Sequence, residues 1–430
     1  MRHTGHGVLG FAGAILISLL VWDQVESRSL AREIAAIAQR GEPTSVPDPE
    51  GVALTPEQRE AARWYAGAAE RATEVVRQDG SRAGRVDVDG VVPADVAALE
   101  ARYPSNAPPL QMLDHATPMD FKEFGSEAPE LSQSSSPLMD LLSLSDLRAD
   151  LLSARGRGDD AARALVASAR LMRTARSTFV RAQAAAHVMG SVRILLRHAT
   201  PGEVPLADLQ RAILELGDSD RQSADVQESR ARFLDRLAEP AASPIEAIAN
   251  RVMRPWYARK ARARLDAFRD AIALAATPGP ARAAAGRDYE ARYLPLMQQG
   301  RARPGFGPTI LQPYGLPVVP LNVNQAGLEV ASRRVITAAL AVERFRRAHA
   351  EAPPAALPDL VPAYLTAVPV DPFTGRQLIY RATEDAYVLY SADVDGADNG
   401  GAFYGRGSRG QLMPRAGQPR DLGLRVERRR

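Results

Sequence analysis

The side chains best suited to chemistry are concentrated in one stretch, DAYVLYSADVDGADNGG, residues 385–401. Ser391-Ala392-Asp393-Val394-Asp395-Gly396 places oxygen side chains at alternate positions ahead of a sharp-turn glycine, the first half of an EF-hand calcium loop. The twelfth position, which needs a bidentate glutamate, is Ala402, and the YVLY that enters the loop is strand-like, which argues against a true EF-hand. Asp393, Asp395 and Asp398 still crowd three carboxylates together, and like charges so close disfavour one another unless water or a cation neutralises them. Calcium is the hard cation that accepts the mixed carboxylate and carbonyl shell of such a loop. The plain alternative is a solvated Asp/Gly turn, and the residues alone leave both open.

The rest of the chain offers less. Gly405-Arg406-Gly407-Ser408-Arg409-Gly410 spells G-x-G-x-x-G, but Pro414 follows where a dinucleotide site needs a helix. Neither H-E-x-x-H nor G-x-S-x-G occurs. His187 and His198 fall in helical segments, far in sequence from His115 and His349, and read as packed or exposed side chains. There is no cysteine, which excludes disulfides, a lipoprotein anchor, thiol catalysis and Cys-based zinc sites. All but Lys122 and Lys260 of the 54 basic residues are arginine. The arginines are interleaved with Asp and Glu along helices, not massed with aromatics, which argues against a nucleic-acid surface.

The elements that must position the loop begin with MRHTGHGVLGFAGAILISLLVWDQVES. Val8 to Trp22 is almost wholly apolar. Arg2 precedes it and Asp23 and Glu26 follow, which favours a single-pass anchor with the N-terminus inside and the rest exported. A signal peptide cut near Ser27 or Ser29 is the rival. Ser27–Gln39 continues as a short helix. Thr55-Pro56-Glu57-Gln58 has the form of a capping box and predicts a helix to Gln78. From Pro137 to Ala276 the pattern is helical: leucines 141, 142, 144, 147, 151 and 152 at helical spacing, a Gly156-Arg157-Gly158 break, then a second helix from Asp159. Trp256, Tyr257 and a basic face (Arg259, Lys260, Arg262, Arg264) mark a helix around 244–276. Residues 277–320 are rich in Pro and Gly and read as a linker. Gln325–Ala350 predicts an amphipathic helix with Val330, Val335, Ala338, Ala339, Val342 and Phe345 as its stripe. Asp371-Pro372-Phe373-Thr374-Gly375 is a turn. Leu378–Tyr380 and Tyr387–Tyr390 predict a hairpin turning at Thr383-Glu384-Asp385.

Over Gln325–Tyr404 the chain resembles the soluble part of the major pseudopilin of type II secretion systems. The resemblance rests on the helix ending AVERFRRAHA, the short leucine helix Leu357–Tyr364, VPVDPFTGRQLIY, and AYVLYS leading into an aspartate–glycine loop closed by Gly400-Gly401. It implies a long helix packed on a small sheet and a calcium site in that loop, carried over to Asp395 and Ser391, with Asp393 and Asp398 as additional carboxylates. It does not imply a pilus. In that family the membrane segment runs straight into the long helix, whereas here the helical middle intervenes. Gly10-Phe11 imitates the leader cut, yet Ile15 stands where a glutamate is required.

The expected fold is therefore mainly α. A cytoplasmic stub and transmembrane anchor (1–26) lead into a juxtamembrane helix, linker and mixed region (27–136). A helical-hairpin-like domain (137–276), a Pro/Gly-rich linker (277–321), an α+β module of long helix and β-hairpin or short sheet (322–404) and a basic disordered tail (405–430) follow. The expected role is structural or interactive: an exported protein of the bacterial envelope, held in the inner membrane, with envelope or secretion-system partners and no nucleic acid. The alternative is an exported hydrolase-type enzyme with its site assembled across the helical middle.

Overall fold

The computed structural model describes residues 4–46, 54–78, 93–119, 121, 136–175, 178–217, 222–240, 243–277, 279–301, 319–383, 386–403, 405–406, 412–413 and 421–427. Among them the chain is mainly helical with a small three-stranded sheet. They gather into two compact units.

The first unit is built on α1 (Thr4–Gln39), α9 (Gln222–Ala238), α10 (Pro244–Val252), α11 (Arg254–Ala276) and most of α12 (Gly279–Arg301). Its core joins Ile37, Phe233, Leu234, Leu265, Phe268, Tyr289 and Tyr293. The fully buried Arg230 reaches the Glu42 carboxylate at 2.5 Å, and the Asp235 carboxylate accepts the Val46 amide at 2.7 Å. Part of the expected linker is a helix. Tyr289 of α12 donates to the Ala267 carbonyl at 3.3 Å, and Tyr293 donates to Asp270 at 2.6 Å. The glycines and prolines that suggest a linker concentrate at its ends, while AAAGRDYEARY between them is good helix composition. Residues 302–318 lie outside the described ones. Within the described residues no helix is long and apolar enough to cross a membrane. The side chains before Ile17, including Val8–Leu16 of the apolar run and the Gly10, Phe11 and Ile15 positions, lie outside them.

The second unit holds α2 (Pro56–Gln78), α3 (Pro93–Arg102), α4 (Pro108–Ala116), α5 (Ser136–Ala154), α6 (Gly158–Thr174), α7 (Thr178–His198), α8 (Glu203–Leu214) and α13 (Val319–Ala348) with the sheet. The capping box forms as expected: the Thr55 amide donates to Gln58 Oε1 at 3.0 Å and the Gln58 amide to Thr55 Oγ1 at 3.2 Å. Gly156 adopts φ +72°, which a side chain would strain, and ends the turn between α5 and α6. Helix α5 is buried from Leu141 to Ser153 on nearly every side, packed between α2, α6 and α7. The helical stretch 137–276 is thus not one domain. Its first half belongs with α13 and the sheet, and its second half packs on α1.

The Gln325–Ala350 helix exists, but α13 is more than an amphipathic cover. Ile336, Leu340 and Ala341 are buried as fully as the expected stripe, and one continuous core joins α13 to α5–α8 and to Leu389, Leu422 and Leu424 of the sheet. The sheet order is β1 (Ile379–Ala382), β2 (Ala386–Ser391), then β5 (Leu422–Glu427), all antiparallel. The hairpin is as expected, although its turn residues 384–385 lie outside the described ones. The disordered tail is corrected. β5 buries Leu422, Leu424 and Val426 and exposes Arg425 and Glu427, and two-residue strands β3 (Gly405–Arg406) and β4 (Leu412–Met413) pair before it. Without β5, Tyr387 and Leu389 would have no cover on that edge.

Gly423 sits opposite Tyr390, where a Cβ would collide with the Leu389 carbonyl and the Tyr390 backbone. Gly423→Ala is expected to cost about 1–3 kcal/mol through overpacking and to speed amide exchange across Leu422–Glu427. Unchanged exchange in that strand would refute the close approach.

Candidate functional site

The aspartate loop is held from three directions. At its entrance, buried Asp371 of the D-P-F-T-G turn accepts the Phe373 amide at 2.8 Å on one carboxylate oxygen and the Ala392 amide at 2.8 Å on the other. Gly375 takes φ +69° to close that turn. Asp371 therefore ties the end of β2 to the turn before β1. Sequence reading treats it as a turn former only.

Each expected ligand has a distinct place. Ser391 is fully buried, and its hydroxyl accepts the Asp393 amide at 3.3 Å. Asp393 is buried in the left-handed region (φ +59°), its carboxylate accepting the Val394 amide at 2.6 Å. Asp395 is exposed and makes an Asx turn to the Ala397 amide at 3.0 Å, its other oxygen accepting the Asn399 side chain at 3.1 Å. Asp398 accepts the Gly400 amide at 2.9 Å, the Tyr390 hydroxyl at 2.8 Å and the Arg381 guanidinium at 2.7 Å. Those donors, Gly400 first, hold its carboxyl below the usual carboxylate range. Burial and then the bond to Asp398 push the Tyr390 hydroxyl up.

Sequence reading missed Asp421. It is fully buried at the start of β5, where it accepts the Gly401 amide at 2.7 Å and the Asn399 amide at 3.2 Å. Its own amide donates to the Ala402 carbonyl at 2.9 Å. Burial raises its carboxyl above the usual range, the two amides oppose this, and the charges of Asp398 and Asp395 raise it further. So Asp421 feels the charges of Asp398 and Asp395, and Arg381 is a partner of Asp398. The missed signal is the alternation in D-L-G-L-R-V, which marks a strand led by an acidic residue. Among the described residues no three acidic or histidine side chains are grouped closely enough to hold a metal ion by themselves.

The helical middle holds one buried constellation that motif reading does not find. His187 of α7 lies with Nδ1 3.4 Å from the Asp146 carboxylate of α5, and the other Asp146 oxygen accepts the Ser168 hydroxyl of α6 at 2.9 Å. Serine, histidine and aspartate meet here, but the aspartate stands between the other two. A hydrolase needs the histidine in that place to take the serine proton. All three are at most 3 % exposed. The chemistry of this order is to hold three helices together. Two other histidines pack beside rings: His115 lies 4.4 Å from Trp64 and His349 3.8 Å from Phe345, between centroids.

No model of a protein family, no curated protein and no solved structure matches the chain.

Proposed function

We propose that this is a membrane-anchored, exported structural or interaction protein of the bacterial envelope, with a pseudopilin-like C-terminal unit stabilised by calcium. The observation that carries the reading is that the polar side chains of the aspartate loop and the helical core face one another. Asp371, Asp398 and Asp421 bind the loop's own amides and side chains, and Asp146 of α5 accepts the Ser168 hydroxyl of α6, so these bonds hold the chain in shape. Calcium would be held by Asp395 and Asp421 with backbone oxygens, with Asp398, already bonded to Arg381, as a further carboxylate. Its chemistry there is charge neutralisation.

The anchor draws support from contacts beyond the apolar run. Arg254 donates to Ser27 Oγ at 3.1 Å and lies 3.3 Å from Asp23, while Arg262 donates to Glu26 at 2.9 Å. A signal peptidase cutting near Ser27–Ala31 would remove residues that the folded body uses.

Two measurements test the proposal. A periplasm-active reporter fused after Pro43 is expected to be active while the protein stays with membranes. A soluble product beginning near Ser27–Ala31 would overturn the anchor. Treatment of the full chain with a fluorophosphonate probe is expected to leave it unlabelled. Labelling lost in Ser168→Ala would overturn the structural reading in favour of the hydrolase.

A further inference from the structure

Helix α10 exposes two large apolar side chains, Ile248 and Val252. Its sequence, P-I-E-A-I-A-N-R-V, spaces apolar residues at 245, 248, 249 and 252, one stripe of a helix. Ile248 is 67 % and Val252 70 % exposed, and Met253 beyond the helix is 37 % exposed. The place of this face in the unit decides what it meets. Arg254, the first residue of α11, is fixed to Asp23 and Ser27, and Arg262 farther along α11 lies 2.9 Å from Glu26 and 3.8 Å from Glu33. α11 therefore runs in the same direction as α1, with its first turn, and the C-terminal end of α10 that leads into it, level with Asp23. Asp23 is the first charged residue after the apolar run ending at Trp22. On α1 at that level Leu19, Leu20, Val21 and Val25 are exposed as well.

The polar groups at this level suit a bilayer surface. Trp22 and Trp256 are two of the chain's three tryptophans, and both are half-buried. Indole rings favour the boundary between headgroups and hydrocarbon. Lys260 lies 3.5 Å above the Trp256 ring, and Arg251, Arg259 and Arg28 are exposed nearby in sequence on α10, α11 and α1. An apolar helical face edged by arginine and lysine is the pattern of a helix lying in the membrane interface and drawn there by anionic lipid.

We propose that α10 and the first turn of α11 dock on the anionic headgroup surface of the bilayer beside the anchor, with Ile248 and Val252 entering the acyl boundary. The partner is a membrane leaflet rich in anionic phospholipid. The docking holds the first unit against the membrane and fixes the direction in which α1 and α11 rise from it. It rests on the anchor reading above, so its test keeps the two apart.

The chain has no cysteine, so single labels are unambiguous. Full-length protein carrying Ile248→Cys, Leu20→Cys or Leu214→Cys, each labelled with an environment-sensitive fluorophore, is placed in vesicles of phosphatidylglycerol and phosphatidylcholine or of phosphatidylcholine alone. Lipids with a nitroxide at shallow depth serve as quenchers. The label at 20 reports the anchor, and the exposed position 214 is the reference for water. The expected result is a blue shift and strong quenching at both 20 and 248, with the signal at 248 falling in phosphatidylcholine alone and at high salt. Val252→Cys repeats the reading should Ile248→Cys not fold. Quenching at 20 with water-like emission at 248 and 252 overturns the docking and leaves the anchor. Water-like emission at all positions overturns both. Quenching at 248 that ignores lipid charge and salt overturns the anionic headgroup assignment.

Discussion

Glu329→Ala is expected to destabilise the second unit by about 3–5 kcal/mol, the usual cost of removing one partner from a buried ion pair. Glu329 of α13 accepts two bonds from Arg181 of α7, at 2.7 and 3.0 Å, and lies 3.4 Å from Arg333 one turn along its own helix. All three side chains are at most 7 % exposed. Removing the carboxylate leaves the Arg181 guanidinium in the core without the charge it pairs with. Arg381 and Asp398 make a bond of equal length, but they are 54 % and 42 % exposed, and such pairs contribute about 0–1 kcal/mol. Arg381→Ala is therefore the control. Urea midpoints of the full chain read the difference. A Glu329→Ala variant no weaker than Arg381→Ala would refute the account. Replacing Arg181 and Glu329 together by Met and Leu is expected to recover most of the loss, because the penalty lies in the orphaned Arg181 charge.

The same triad explains why the sequence reads α13 only in part. Val335, Ala338, Ala339 and Val342 are legible as a stripe at helical spacing, and all are fully buried. Glu329–Arg333 and Glu343–Arg346 have the i,i+4 and i,i+3 spacing of solvated surface pairs. Nothing in a single sequence separates a pair facing water from one facing another helix. Here Glu343 and Arg346 make a 2.7 Å bond in the core, and burial pushes the Glu343 carboxyl up against the pull of Arg346. Read as surface, those charges make α13 a lid on a small module. Read as core, they make it the helix joining that module to α5–α8, so residues 322–404 are not a separate domain.

Local chemistry is the legible part. The capping box at Thr55, the Gly156 turn, the Asp371 turn and the β1–β2 hairpin are each written within a few residues, and each forms. What depends on distant partners is not legible: His187 meeting Asp146, or Asp421 returning past the described part of the tail to receive the Gly401 amide. In the tail, arginine and glycine mask the period-two signal of Leu422, Leu424 and Val426. A strand is added to an edge that the local sequence does not reveal.

Calcium is expected to raise the melting temperature of the full chain over its value in chelator, and Asp421→Asn is expected to abolish the difference. Asp421 is fully buried, and its carboxyl is raised by burial first and then by Asp398 and Asp395, against the Gly401 and Asn399 amides. A carboxyl raised on folding binds its proton more tightly in the folded state. Its contribution to stability is therefore present below the unfolded value near 3.8 and is lost as pH rises through the folded value. At neutral pH the ionised group is a cost, and a divalent cation shared with Asp395 would offset it. Binding to the folded state alone adds about 2.7 kcal/mol at a hundredfold excess over the dissociation constant. The calcium effect should shrink as pH falls toward 4, because the proton then does what the cation does at neutrality. Asparagine at 421 keeps an oxygen for the Gly401 amide but turns its NH2 toward the Asn399 amide, so in chelator at neutral pH that variant should lose about 1–3 kcal/mol. Asp395→Ala should lose the calcium response with little change in chelator, since Asp395 is exposed. Equal melting temperatures for the wild-type chain in calcium and in chelator would make the loop a solvated turn, with Asp421 a capping group for its closing strand.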